Sequence, residues 1–241
     1  MQLPLNIRWN ASADLGRFIA GDNEEALRLV TGLADGALSS PTVYLHGGAA
    51  VGKSHLLQGA CRRVTDSAGV AVYLPLRQLA GYGAAVLEGW ERADVVALDE
   101  LETLEGAEAW QDAVFHLYNR TLEHGGRLLF AARQPPAGLP IGLSDLRSRL
   151  GYGPIVALQH PDEATCLAIL QQRAADRGLD LPEATARYLI RRVPRELSTL
   201  LTLFERLDRA SLAAGRRLTV PFVRQILRSG PPPGADTSAS R

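Results

Sequence analysis

Gly47-Gly48-Ala49-Ala50-Val51-Gly52-Lys53-Ser54 decides how the rest of this chain is read. The stretch has the spacing G-x-x-x-x-G-K-[ST]. It stands between an apolar strand-like run, Val43–His46, and a helical pattern, Lys53–Ser67. Glycines let successive backbone N–H groups turn inward around a phosphate chain, and the following helix adds the positive end of its dipole. Gly47, Gly48, Ala49, Ala50, Val51 and Gly52 are therefore expected to cradle the phosphates, with Lys53 meeting the outer ones. The Ser54 hydroxyl is expected to reach a Mg²⁺ ion, whose octahedral shell is completed by water and phosphate oxygens. Composition singles out the same place. Of 26 basic residues only one is a lysine, and it is Lys53.

Working outward, short apolar runs at Val70–Leu74, Val95–Asp99, Arg127–Ala131 and Pro154–Leu158 join Val43–His46 as strands. Helices are expected near Glu24–Gly32, Lys53–Ser67, Leu76–Trp90, Ala109–Glu123 and Ser144–Arg149. Five strands alternating with helices make an α/β layer with a five-stranded parallel sheet over residues 13–159. After His160-Pro161 the pattern becomes all-helical. Asp162 and Pro182-Glu183 read as helix starts, and Leu167, Leu170, Leu189, Ile190, Leu200, Leu203 and Leu207 recur at helical spacing, so residues 160–228 form a small all-α domain. Residues 229–241 contain Pro231-Pro232-Pro233 and little apolar mass, and are expected to be disordered.

Val95-Val96-Ala97-Leu98-Asp99-Glu100 is an apolar strand ending in two carboxylates. Beside a phosphate loop, Asp99 is placed to hold the Mg²⁺ shell, and Glu100 to orient or deprotonate a water attacking in line. Other chemistries find no support. There is no G-x-S-x-G elbow or H-E-x-x-H pair, and the five histidines lack metal-site spacing. Cys61 and Cys166 stand far apart and read as core residues. No apolar run of about 18 residues and no leader-like start occurs, so no membrane partner is expected and a cytoplasmic location is the simplest reading. Formal charge is zero overall, yet residues 1–159 hold 13 basic and 17 acidic side chains, whereas residues 160–228 hold 12 and 8. The split leaves open whether the basic C-terminal part touches DNA or protein.

Gly52-Lys53-Ser54-His55-Leu56-Leu57, Leu98-Asp99-Glu100-Leu101, Leu117-Tyr118-Asn119-Arg120, Ser148-Arg149-Leu150-Gly151-Tyr152-Gly153 and Pro221-Phe222-Val223 together resemble the replication-initiator branch of the AAA+ proteins. Within it they resemble the Hda family of short DnaA-related regulators. The resemblance spans residues 1–228 and implies an AAA+ nucleotide-binding core followed by a helical lid. It implies ADP or ATP with Mg²⁺ as cofactors and adds His55 and the lid arginine Arg195 to the nucleotide contacts. Ile19 and Asp22 would line the adenine pocket. The helix-turn-helix domain of a full initiator is not expected in the remaining tail.

The same resemblance makes Arg149 an arginine finger acting in trans on a neighbour's nucleotide, with Arg147 nearby as a substitute or as a surface partner of Asp145. It reads residues 1–12 as a clamp-binding peptide, in which Gln2, Leu3, Leu5 and Ile7 dock on the DNA polymerase III sliding clamp (beta subunit) as apolar anchors beside a hydrogen-bonding Gln. The implied function is negative regulation of replication initiation, by stimulating ATP hydrolysis in the DnaA initiator. Two alternatives stay open: a helicase-loader-like or self-assembling DNA-stimulated AAA+ ATPase, and a nucleotide-dependent scaffold. Homodimerisation is also left open. One departure bears on this chain's own turnover. After the fourth strand the sequence reads Ala131-Ala132-Arg133-Gln134-Pro135, and an arginine there cannot orient water as a carboxylate does. Weak intrinsic hydrolysis, with ADP as the resident nucleotide, is the expectation.

Overall fold

The apolar runs pair into one parallel sheet of β1 (Thr42–His46), β2 (Ala71–Pro75), β3 (Val95–Asp99), β4 (Arg127–Ala132) and β5 (Ile155–Ala157), in the spatial order β2-β3-β4-β1-β5. The computed structural model describes residues 13–192 and 197–228. All five expected strands are present, β3 with the expected bounds and the other four displaced by one residue at one or both ends.

Because side chains alternate across a strand, each run feeds two cores. Tyr44, Leu98 and Phe130 face one layer, where they pack with Val114, Leu117 and Tyr118 of α4 (Glu108–Glu123) and with Leu146 and Leu150 of α5 (Ser144–Leu150). Val43, Leu45, Ala97 and Leu129 face the other, against Val30 and Leu33 of α1 (Glu24–Ala34) and Leu56, Leu57 and Ala60 of α2 (Lys53–Asp66).

The expected helix Leu76–Trp90 is not continuous. Its first turn, α3 (Leu76–Leu79), gives way to short 3₁₀ turns at Ala80–Tyr82 and Ala84–Leu87. Gly83 and Gly89 adopt φ of 81° and 91°, outside any right-handed helix. Leu76, Leu79 and Leu87 are nevertheless buried in the first core, so the apolar spacing marked burial and the glycines decided the backbone.

The chain divides into two compact units between His160 and Pro161. In the second, α6 (Glu163–Asp176) starts where Asp162 caps it, its carboxylate accepting from the Thr165 N–H at 2.7 Å. It is followed by α7 (Glu183–Arg192), α8 (Leu197–Ala214) and α9 (Val220–Arg228). Leu170, Ala186, Leu189, Phe204, Leu207 and Val223 form its core. Arg177 pairs with the largely buried Asp208 at 2.9 Å and lies over the Phe204 ring. No helix among the described residues is long and apolar enough to cross a membrane.

Cys61 is fully buried, and burial pushes its thiol up to about 12. Cys166, expected in the core, is instead half-buried near the start of α6. The expected tail, residues 229–241, lies outside the described residues.

Truncating Phe130, 1% exposed between Tyr44 and Tyr118, is expected to cost about 3–5 kcal/mol in Phe130→Ala. Urea unfolding of the first unit measures this, and a loss under about 1 kcal/mol would contradict the packing described.

Candidate nucleotide-binding site

The strand order brings three carboxyl ends together. His46, at the end of β1, is in register with Ala132 of β4, and Leu98 of β3 with Phe130 of β4. The loop after β1 therefore lies on the same sheet edge as Arg133, after β4, and Asp99-Glu100, at the end of β3. In open parallel sheets, ligands occupy the crevice outside these ends.

The loop itself requires glycine at two positions. Gly47 has φ 147°, and a Cβ there would sit 2.6 Å from the Leu158 carbonyl oxygen. Gly52 has φ 104°, and a Cβ would sit 2.9 Å from the Phe18 ring. From this turn α2 begins at Lys53 with no side-chain cap. Among the described residues, the backbone N–H groups of Gly48 through Ser54 have no protein acceptor. A row of unpaired amides at the start of a fourteen-residue helix is an anion cradle.

Lys53 Nζ folds over that cradle, donating to the carbonyls of Gly47 at 2.7 Å and Gly48 at 2.6 Å. Burial holds its pKa below the ordinary lysine value, against the opposing pull of Asp99, Glu102 and Glu100. Burial also lowers His46, with Lys53 adding to the effect.

The N-terminal flank is packed on the loop. Leu15 fills the space above Gly59, where a Cβ would come within 2.8 Å of it. Phe18 covers Gly52 and lies 5.5 Å from the His55 ring. His55 Nε2 is 3.3 Å from the Asp14 carbonyl, so His55 buttresses the flank. Ile19 follows Phe18 and is half-buried, and Asp22 is exposed in the turn Gly21–Asn23. The neighbouring Asn23 has a role the sequence did not disclose. Its side-chain amide donates to the Gln159 carbonyl at 3.1 Å and accepts from the Gln159 N–H at 2.7 Å, tying the flank to the chain beyond β5.

Asp99 is 2% exposed, and both its oxygens are engaged. The Tyr73 hydroxyl donates to Oδ2 at 2.7 Å, and the Glu100 N–H donates to Oδ1 at 2.8 Å. Tyr73 also interacts with the Ser54 side chain, and its own pKa is raised, first by burial and then by Asp99. Tyr73 thus gathers Ser54 and Asp99, the two residues expected at Mg²⁺. Two hard oxygens are the donor type Mg²⁺ takes, and it seldom needs an all-protein cage. Among the described residues no group of three His, Cys, Asp or Glu is arranged around a metal position.

Glu100 sits in the left-handed region, φ 63° and ψ 45°, a conformation costing a non-glycine residue about 1–2 kcal/mol. Its carboxylate accepts from Arg77 Nε at 2.8 Å. Glu102 accepts from Arg133 Nε at 3.2 Å and lies 3.9 Å from Arg77 Nη2. Arg133, noted in the sequence as a departure, is therefore one end of the network Arg77–Glu100–Glu102–Arg133. Tyr73, Arg77 and Glu102 were not legible as site residues. Only the pairing of Pro75 with Asp99 brings the end of β2 to the end of β3.

Arg149 lies elsewhere, exposed on α5 with its guanidinium 5.9 Å from the Tyr118 ring centre. Among the described residues it has no carboxylate partner. Arg147 turns back, donating to the Ile141 carbonyl at 3.4 Å in place of the Asp145 pairing considered from sequence. Arg195 and the N-terminal residues Gln2, Leu3, Leu5 and Ile7 lie outside the described residues.

Comparison with known families finds a match within each unit. Residues 83–157 match the bacterial DnaA ATPase domain, and residues 162–227 match the lid domain of Hda. The chain is a Hda/DnaA-related AAA+ protein. The fold agrees with domain III of the Thermotoga maritima replication initiation protein DnaA (TM-score 0.82, 21% identity, 92% of this chain and 98% of that one). It is similar also to AMPPCP-bound DnaA from Aquifex aeolicus (TM-score 0.70, 22% identity, 83% and 66%). The Thermotoga maritima RuvB Holliday junction branch migration motor shares the fold at TM-score 0.69 and 20% identity, over 90% and 72% of the two chains. The AAA+ sheet, flanked by helices and followed by a helical lid, is thus common to this Hda/DnaA-related chain and to these proteins.

Within this site, Tyr73→Phe removes a hydrogen bond to a buried carboxylate and is expected to cost about 1.5–3 kcal/mol. Urea denaturation without nucleotide reports it, and unchanged stability would show that the Tyr73–Asp99 bond contributes nothing net.

Proposed function

We propose that this protein is a nucleotide-binding negative regulator of replication initiation, which docks on the sliding clamp and stimulates ATP hydrolysis by the DnaA initiator through Arg149. The observation that carries the reading is Arg149 itself: an exposed guanidinium, steadied by Tyr118 and free of any carboxylate partner among the described residues. It stands in a chain whose ATPase domain is DnaA-like and whose lid is Hda-like.

The nucleotide is ADP or ATP. The amides of Gly48–Ser54 and Lys53 would hold the phosphates, with Ile19, Asp22, His55 and Arg195 as further contacts. AMPPCP, seen on the Aquifex DnaA, is an ATP analogue of the same phosphate chemistry. Ser54 and Asp99 would hold Mg²⁺, directly or through its water, and bound Mg²⁺ neutralises charge on the phosphate oxygens.

This chain's own turnover is slow in this reading. Glu100 is engaged by Arg77, and Arg133, bound to Glu102, occupies the place of a water-orienting acid. Arg149 acts instead on a neighbour's nucleotide, where a guanidinium supplied in trans raises phosphoryl transfer by about 10³–10⁵. The clamp is engaged through Gln2, Leu3, Leu5 and Ile7.

The test is ATP hydrolysis by DnaA with DNA-loaded clamp, comparing the intact protein, Arg149→Ala, deletion of residues 2–7, and Glu100→Gln. Stimulation by the intact protein and by Glu100→Gln, lost in the other two, is the expected outcome. No stimulation by the intact protein would end this reading. Hydrolysis that needs DNA but not DnaA, and that disappears in Glu100→Gln, would mark a self-acting DNA-stimulated ATPase. Separately, Lys53→Ala is expected to weaken ADP binding about tenfold or more, close to 1.4 kcal/mol, by titration calorimetry. Unaltered affinity would remove Lys53 from the phosphate site.

A further inference from the structure

The helical unit carries a surface that the reading above does not use. Its basic excess, 12 side chains against 8 acidic over residues 160–228, is concentrated on the face formed by α7 and α9. Arg192 and Arg224, one from each helix, both place a guanidinium 5.9 Å from the centre of the Tyr188 ring. Arg192 Nε donates to the Tyr188 hydroxyl oxygen at 3.3 Å. Hydrogen bonding from Arg192 and Arg224, with their charge, holds that phenol below its ordinary pKa.

Among the described residues neither Arg192 nor Arg224 has a carboxylate partner. Arg191 is 71% exposed and comes no nearer than 3.8 Å to Glu163. Arg187 differs, being tied to Glu183 at 2.8 Å and to Glu163 at 3.3 Å. A groove of about 450 Å³ runs along this face, lined by Ala184, Arg187, Tyr188, Arg191, Arg192 and Val220.

We propose that this groove binds the phosphate backbone of DNA, with one phosphate seated between Arg192 and Arg224. Two like charges drawn onto one ring, with no acid between them among the described residues, repel each other until an anion joins them. Because the phenol oxygen accepts from Arg192, its proton is left to donate to a phosphate oxygen. Guanidinium forks match phosphate geometry in pairs, which a lysine cannot do. The lining also argues against a protein occupant. Its only aliphatic members are Ala184 and Val220, and its one aromatic ring is already covered by guanidiniums. A protein interface takes its energy from large apolar anchors, whereas a phosphate backbone needs spaced cations and little else.

The experiment is fluorescence anisotropy of the full chain with labelled DNA of ~20 nucleotides, single-stranded and duplex, across a salt series. Polyglutamate of matched charge serves as competitor. The intact protein is expected to bind with affinity falling as salt rises. The pair Arg192→Gln and Arg224→Gln is expected to weaken binding about tenfold or more and to lower the salt slope by about 1 to 2 units. Arg187→Gln, whose charge is already paired, should change neither by much. If the Gln pair does not keep its helical circular dichroism, Arg192→Lys with Arg224→Lys replaces it, expected to hold the slope while losing affinity with the lost fork. DNA binding equal to that of the intact protein in a folded pair would overturn the proposal, as would failure of the intact protein to bind at low salt. Displacement of DNA by equal-charge polyglutamate would overturn it in favour of an acidic protein surface. Because the readout contains no DnaA and no clamp, its failure is distinct from failure of the Arg149 reading.

Discussion

Everything at the nucleotide site depends on a row of backbone amides that the fold leaves unpaired. From Gly48 to Ser54 the chain runs out of β1 and into α2 with no protein acceptor among the described residues for its N–H groups. Amides without a protein acceptor at an accessible helix start are met by water until an anion replaces it, and their convergence with the helix dipole favours the anion. Two local constraints hold the row in place. Gly47 and Gly52 adopt backbone angles that side-chain-bearing residues rarely adopt, and the Leu158 carbonyl and Phe18 ring stand where a Cβ would be. Lys53 spans the turn from its far side, satisfied by the Gly47 and Gly48 carbonyls.

Around that cradle the carboxylates are arranged for different tasks. Asp99 is buried and held by two donors, Tyr73 and the Glu100 N–H, so it is a fixed charge. Glu100, next in sequence, is turned outward by a left-handed backbone and engaged by Arg77. A general base must be within reach of a water and free to take its proton. An ion pair at 2.8 Å competes directly with that role. Arg149, on α5, has the opposite character: among the described residues no acid engages it, and an aromatic ring steadies it.

The helical unit repeats the contrast between engaged and free arginines. Arg177 is spent internally on Asp208 and Phe204, and Arg187 on two glutamates, and both help to hold helices together. Among the described residues Arg192 and Arg224 meet the Tyr188 side chain and no carboxylate, so their charges stay uncompensated where α7 meets α9. Residues that break the rule of local compensation in this way are where function is best sought.

How much of this was legible in the sequence follows from how local each determinant is. The loop, its lysine, the strand ending in Asp99-Glu100 and the change to helices after His160 are set by neighbours in the chain: periodicity, glycine spacing and capping act over a few residues. That was enough to name the fold class and to point to the residues expected to face a phosphate. Glycine against helix at Leu76–Trp90 was a local contest too, but apolar spacing masked it, since burial and helical pitch leave the same pattern over a short run. What lay beyond reach were contacts between elements. The sheet order puts the end of β2 beside the end of β3, and only then do Tyr73 and Arg77 touch Asp99 and Glu100. Asn23 meets Gln159 across 136 residues, and Arg192 and Arg224 converge because α7 packs on α9. The sequence by itself determined where an anion cradle can form, because such a cradle is built from consecutive residues. Only the tertiary structure decided which charges are left free, because pairing is settled by side chains that the chain brings together from far apart.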